Sequence, residues 1–448
     1  MPETTENSAR SGAIPTTLWQ AEALRFWFAV LLIGVSTGLA AVALTRLLEV
    51  VQRLAWHGSG SNILETARQA SFTRHIVVLV GAGLLTGVGQ FLLKKLSSGN
   101  GIDTTAAIWF FAGRMPALRT LGSAVLSIFT VGMGASLGRE GAPKQAGAVF
   151  ANFFADVENL SDEQRRLMVA CGAGAGMSAA YGVPLGGALF ALEVMRGKLA
   201  LRYVLPALFA SMIATGVSWI GLPDAPTYVF PPLPVSVSVM FWVLVAAPVA
   251  ALGSVLFVRL VRWADQHKPS GWKRFVAPVI VMGLLGAVSF RFPQILGNGK
   301  DLSQLLFVDQ VTAGLSLALL LLKPLATILC IRGGVPGGLF TPSLTFGALL
   351  GAALGHVWSA FWPGVPPGLF ALLGAGAVLA ATTQGPISSV VLIMELTGHA
   401  RSFILPLLLI AGISTLIARS IEHRSIYDAR LTDEEVAERR RLREVPTV

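Results

Sequence analysis

Gly138-Arg139-Glu140-Gly141-Ala142-Pro143 follows an uncharged run from Leu121 to Leu137 and precedes another apolar stretch. Ionisable side chains at membrane depth are costly, so an adjacent arginine and glutamate in such surroundings point to an ion or proton pathway. Gly138 and Gly141 have no side chains, which lets the backbone N–H groups beside Glu140 face a small ligand. Pro143 suits the first turn of a helix, where an N–H would have no intrahelical partner. The stretch therefore reads as a helix N-terminus pointing into the membrane interior, an end that is partly positive and binds anions. A glutamate placed there can fill the anion's position with its own carboxylate and vacate it when protonated or displaced. Glu140 is the candidate gate.

The surrounding chain is that of an integral membrane protein. Its 448 residues are 54% hydrophobic and 13% charged, with a mean hydropathy of +0.68, whereas soluble domains are about a quarter charged. Phe26–Leu44, Ile76–Leu93, Tyr203–Pro223, Ala225–Val258, Val276–Phe290 and Ser402–Ala418 contain no Asp, Glu, Lys or Arg, and most approach the length needed to cross a bilayer. Gly333 to Met394 is uncharged over 62 residues, enough for several helices. The 48 glycines and 24 prolines recur inside these runs, which predicts broken and re-entrant helices.

The net charge of +10 is spread along loop edges, which argues against a nucleic-acid partner and for the positive-inside bias of an inner-membrane protein. Arg439-Arg440-Arg441-Leu442-Arg443 places the C-terminus in the cytoplasm by the same rule. Cys171 and Cys330 are expected to be small buried residues. Six scattered histidines offer no ligand spacing, and no nucleophile–base pair or phosphate loop is present. Neither an enzyme nor a cofactor is expected. The first residues lack the basic region and cleavage site of a signal peptide.

In chain order, residues 1–20 read as a cytoplasmic lead. Long helices are predicted over 22–55 and 74–96, with a glycine-punctuated turn from Ser97 to Asp103. Asp156 to Arg166 forms a polar break. A shift of 202 positions aligns Gly172, Ala173, Gly174, Ala175, Ala179, Pro184 and Glu193 with Gly374, Ala375, Gly376, Ala377, Ala381, Pro386 and Glu395. A shift of 200 aligns Gly138, Gly147, Ala148 and Val157 with Gly338, Gly347, Ala348 and Val357. Such self-similarity indicates two copies of one membrane unit, residues 21–222 and 223–428, followed by a cytoplasmic tail over 429–448. Internal repeats with interrupted helices place a site at the midplane between halves. The opening stretch and Gly337-Gly338-Leu339-Phe340-Thr341-Pro342 would then aim helix N-termini at one point. Glu193 and Glu395, at equivalent positions near helix ends, suggest a shared packing or capping duty.

From about residue 20 to 430 the chain resembles the ClC family of chloride channels and chloride/proton exchangers. Gly99-Asn100-Gly101-Ile102-Asp103 is similar to the family's GSGIP element, and Gly138-Arg139-Glu140-Gly141-Ala142-Pro143 to GREGP. Gly338-Leu339-Phe340-Thr341-Pro342 matches GxFxP, and Tyr427 matches the tyrosine near the inner mouth. The resemblance implies an all-α homodimer in lipid, one pore per subunit, with each subunit's halves inverted. It implies that Glu140 gates and that chloride is the transported ligand. The anion would be bound by Asn100, Gly101, Gly138, Arg139, Gly141, Leu339, Phe340 and Tyr427.

The chain departs from the family pattern at three places. Asn100 stands where a serine hydroxyl is common, and an amide donates equally but is bulkier, which leaves fluoride as an alternative to chloride. Lys144 adds a cation one turn from the gate, able either to concentrate chloride or to snorkel away. Val194 replaces the second acid of an acidic pair, leaving Glu193 as the remaining candidate on a proton route. A valine relays no proton, so channel-like or weakly coupled conduction is expected, with a chloride/proton or fluoride/proton antiporter as the alternative.

Overall fold

A computed structural model describes residues 14–15, 17–20, 22–57, 62–96, 103–231, 235–398 and 403–444. Helices α1 (Ala23–Trp56), α2 (Ile63–Gln69), α3 (Phe72–Leu96), α4 (Thr104–Phe110), α5 (Ala117–Gly132), α6 (Gly141–Val157), α7 (Asp162–Tyr181), α8 (Pro184–Leu189) and α9 (Leu201–Ser218) make the first half. The second half holds α10 (Val237–Gln266), α11 (Lys273–Arg291), α12 (Lys300–Phe307), α13 (Ala313–Arg332), α14 (Phe340–Phe361), α15 (Pro367–Thr383), α16 (Pro386–Thr397) and α17 (Ile404–Ile421). The charged α18 (Asp433–Glu444) closes the chain. Among the described residues eight helices are long and apolar enough to span a bilayer, so this is a multi-pass membrane protein. Leu24, Phe28 and Leu31 of α1 and Phe241, Leu244 and Leu252 of α10 are exposed, as suits surfaces that meet lipid.

The helices break where the sequence changes chemistry. The polar break supplies Ser161, which accepts the Gln164 N–H at 3.3 Å while Gln164 accepts the Ser161 N–H at 3.0 Å, and this reciprocal cap starts α7. At its far end Gly182 takes φ +67°, which ends the helix, and Pro184 starts the next one. Gln384, left-handed at φ +56°, and Pro386 do the same between α15 and α16. α7 and α15 are buried almost throughout, so their apolar character extends around the helix rather than along one stripe.

The packing is mirrored between two inverted repeats. α6 packs on α7 as α14 does on α15, and α1 on α9 as α10 does on α17, while α3 meets its counterpart α11 and α8 meets α16. Each α6–α7-type crossing depends on two glycines. A Cβ on Gly147 would lie 2.0 Å from the Gly172 carbonyl oxygen, and one on Gly347 would lie 2.5 Å from that of Gly374. No side chain fits at that separation, so these backbones touch. Cys171 and Cys330 are buried free thiols.

Candidate functional site

The two re-entrant loops meet at the centre. The Gly138 N–H donates to the Gly338 carbonyl at 2.8 Å and the Gly338 N–H to the Gly138 carbonyl at 2.7 Å, an isolated antiparallel bridge. α6 begins at Gly141 and α14 at Phe340, so two helix N-termini, whose first N–H groups have no intrahelical acceptor, start beside this bridge. Glu140, 2% exposed, turns its carboxylate into that spot. Its Oε1 accepts the Phe340 N–H at 2.8 Å, and its Oε2 accepts from the Thr341 hydroxyl at 3.0 Å and the Tyr181 hydroxyl at 3.3 Å. The two hydroxyls are 2.8 Å apart, and since each has a single proton, already given to Oε2, they meet there without a hydrogen bond to each other. Cβ atoms on Gly138 and Gly338 would fall 2.0 and 2.2 Å from Oε1, so the carboxylate rests against both glycines.

This donor set suits a small anion. It offers one helix-terminal amide and two hydroxyls, and among the described residues no ammonium or guanidinium forms an ion pair with the carboxylate, so an ion held there is held without being trapped.

Two cavities approach the carboxylate. One, of about 490 Å³, includes Arg139, Tyr181, Glu49, Lys300 and Asp301 in its lining, and the Arg139 guanidinium stands 5.2 Å from the Tyr181 ring centre. The other, of about 80 Å³, is lined by Glu140 itself with Leu339, Lys144, Asp103, Tyr427 and Arg430, among others. The Lys144 nitrogen lies 4.5 Å from the Tyr427 ring centre, and that ring meets Phe190 edge-on at 5.4 Å. Lys144 does not snorkel outward; it is buried.

Of the residues read from sequence as anion-binding, the structure brings Gly138, Arg139, Gly141, Leu339, Phe340 and Tyr427 to this site. Asn100 and Gly101 lie outside the described residues. Gly138 spends its amide on Gly338, so it gives the carboxylate room rather than a donor. Glu193 is elsewhere: its two oxygens accept the Ile387 N–H at 3.2 Å and the Ser388 N–H at 2.7 Å, capping α16. Glu395 accepts the Leu185 and Gly186 N–H groups at 3.0 and 2.6 Å, capping α8. The pair is a reciprocal cap between repeats. Sequence reasoning missed Tyr181 and Thr341 as ligands of Glu140. Thr341 was in view inside the Gly338–Pro342 motif, and Tyr181 directly precedes the Gly182-Val183-Pro184 break.

The sequence model described as "Voltage gated chloride channel" matches residues 82–419. The chain belongs to that family. Among its relatives, the H(+)/Cl(-) exchange transporter ClcA of Citrobacter koseri is 30% identical over 416 residues, covering 88% of this chain and 85% of that protein. ClcA of Yersinia pestis is 27% identical over 430 residues, covering 89% and 85%. A slow cyanobacterial Cl-/H+ antiporter has the same fold, with a TM-score of 0.79 at 20% identity over 94% of this chain and 98% of that one. A CLC-type fluoride/proton antiporter follows at 0.72 and 21% over 93% and 99%. Membership accounts for the inverted repeats and for the meeting of broken helices at Glu140.

Proposed function

We propose that this family member is a proton-coupled chloride exchanger of a bacterial-type inner membrane. The observation that carries the reading is the Glu140 carboxylate seated on the Phe340 amide and the Thr341 and Tyr181 hydroxyls. Those donors suit a halide as well as they suit a carboxylate oxygen. While Glu140 is ionised it occupies the seat and separates the two cavities. Protonation weakens its hold on the donors, chloride enters from one cavity, and the neutral acid is free to release its proton toward the other. Binding of the anion and loss of the carboxylate from the seat are then one competition, and opposite movement of the two ions follows from it.

This reading replaces the channel-like conduction expected from Val194. Relatives similar over nearly nine tenths of the chain are named exchange transporters. An apolar residue at one position removes one candidate proton donor, not every route to Glu140. Fluoride is the second reading, favoured by Asn100 and by the likeness to a fluoride/proton antiporter. Tyr427, lining the smaller cavity, favours chloride. The homodimeric assembly, the cytoplasmic termini and the repeat limits 21–222 and 223–428 belong to the same proposal, with the Tyr427 side facing the cytoplasm. The transported ion is the sole ligand and no bond-making reaction is assigned.

Purified protein in lipid vesicles tests the reading. A chloride gradient should drive protons uphill, recorded with a pH electrode. Chloride flux with no uphill proton movement would make the protein a conductor instead, and fluoride-only transport would assign it to the second reading.

A further inference from the structure

Exchange requires protons from the Tyr427 side to reach Glu140, and Glu193 and Val194 do not serve. Glu193 is committed to the amides of Ile387 and Ser388, and Val194 has no titratable group. The smaller cavity has a titratable set of its own. Asp103, Lys144, Asp265, Lys268, Tyr427 and Arg430 line it with Glu140. Arg430 reaches Asp103 at 3.2 Å and Asp265 at 3.3 Å, and Asp265 also pairs with Lys268. Lys144 is different. Among the described residues it makes no ion pair within 4.0 Å, although it is only 8% exposed. Its ammonium faces the Tyr427 ring, its backbone N–H bonds the Glu140 carbonyl at 3.2 Å, and the charges of Asp103, Arg430 and Glu140 all act on it.

We propose that Lys144 is the proton relay of this chain, passing a proton from its ammonium across the cavity to the Glu140 carboxylate and recharging from the solution on the Tyr427 side. The inference rests on the exchange reading above. In the transfer an N–H bond of Lys144 breaks and an O–H bond forms on Glu140, so the pair goes from two opposite charges to two neutral groups. Neutral Lys144 then takes a proton from water at the rim where Asp103, Asp265, Lys268 and Arg430 stand. The cavity of about 80 Å³ has room for bridging water, which needs roughly 10–15 Å³ per molecule on this scale. Lysine is suited to the role because its amine gives up a proton when buried, whereas a guanidinium stays charged. The relay also answers why a lysine can stand beside an anion path. When Glu140 is protonated and the anion enters, Lys144 has just become neutral, so no fixed cation traps the ion.

Proton and chloride movements measured together in the same vesicles test this, with the chloride flux reporting folded protein. Lys144→Met should slow proton transport relative to chloride by on the order of 10²-fold, the lower range for a positioned proton donor. Lys144→Arg, which keeps the charge and does not release a proton, should show the same loss. A wild-type proton-to-chloride ratio in both variants would overturn the relay. Coupling retained in Lys144→Arg alone would also overturn it, since charge rather than transfer would then be the role. If wild-type protein itself moves chloride without uphill protons, the exchange reading fails and the relay falls with it.

Discussion

Oε1 of Glu140 lies 2.8 Å from the amide nitrogen of Phe340, so an acid of the first repeat closes the helix N-terminus that opens the second. Glu140→Gln holds the side chain in the neutral form at every pH. Chloride flux should lose its acid activation, and uphill proton transport should vanish. A pH profile of vesicle flux like that of wild type would remove Glu140 from the gate.

Gly138→Ala tests the seat from its other wall. The three atoms nearest the new Cβ all belong to the Glu140 carboxyl group, and Gly138 does not have a positive φ, so an alanine is tolerated by the backbone and displaces the flexible acid alone. Flux at alkaline pH, where wild type is closed by its own carboxylate, should rise toward the acidic value. Unchanged closure would show that the carboxylate rests elsewhere.

Thr341→Val takes away one donor that favours the ionised acid. A hydrogen bond to a charged group is worth about 1.5–3 kcal/mol, so without it chloride displaces the carboxylate from the seat more readily. Flux at alkaline pH should rise by on the order of 10-fold. Unchanged alkaline flux would contradict the assigned hydrogen bond.

Glu193→Ala should act on stability and not on coupling. Losing the cap of α16 costs about 0.5–2 kcal/mol, visible as a lower unfolding temperature in detergent. The proton-to-chloride ratio should hold. A collapse of the ratio with unaltered stability would return Glu193 to the proton route.

Much of this architecture was legible because membrane burial imposes strict chemistry. The uncharged runs predicted the spans, and the Gly/Pro interruptions predicted where helices break and restart. The alignment of Gly138 with Gly338 anticipated two residues that bond each other, and that of Glu193 with Glu395 anticipated two acids that cap each other's repeat. The remainder was hidden because it depends on three-dimensional convergence. Tyr181 is 41 positions from Glu140 at the end of a buried helix, and nothing local says that its hydroxyl points back at the acid. Thr341 looked like an ordinary motif residue until Phe340 fixed the helix start. The cavity pairing of Arg430 with Asp103 joins residues 327 positions apart, beyond any local pattern. Val194 does not decide between conduction and exchange, because the lack of one acid says nothing of the cations and acids that line the adjacent cavity.

The most direct test is an anomalous-scattering map of Glu140→Ala crystals grown in bromide. Competition for one seat predicts a bromide within hydrogen-bond distance of the Phe340 N–H and the Thr341 hydroxyl, in the space the carboxylate leaves. A seat without bromide, or bromide bound equally there in wild-type protein with Glu140 still in place, would contradict it.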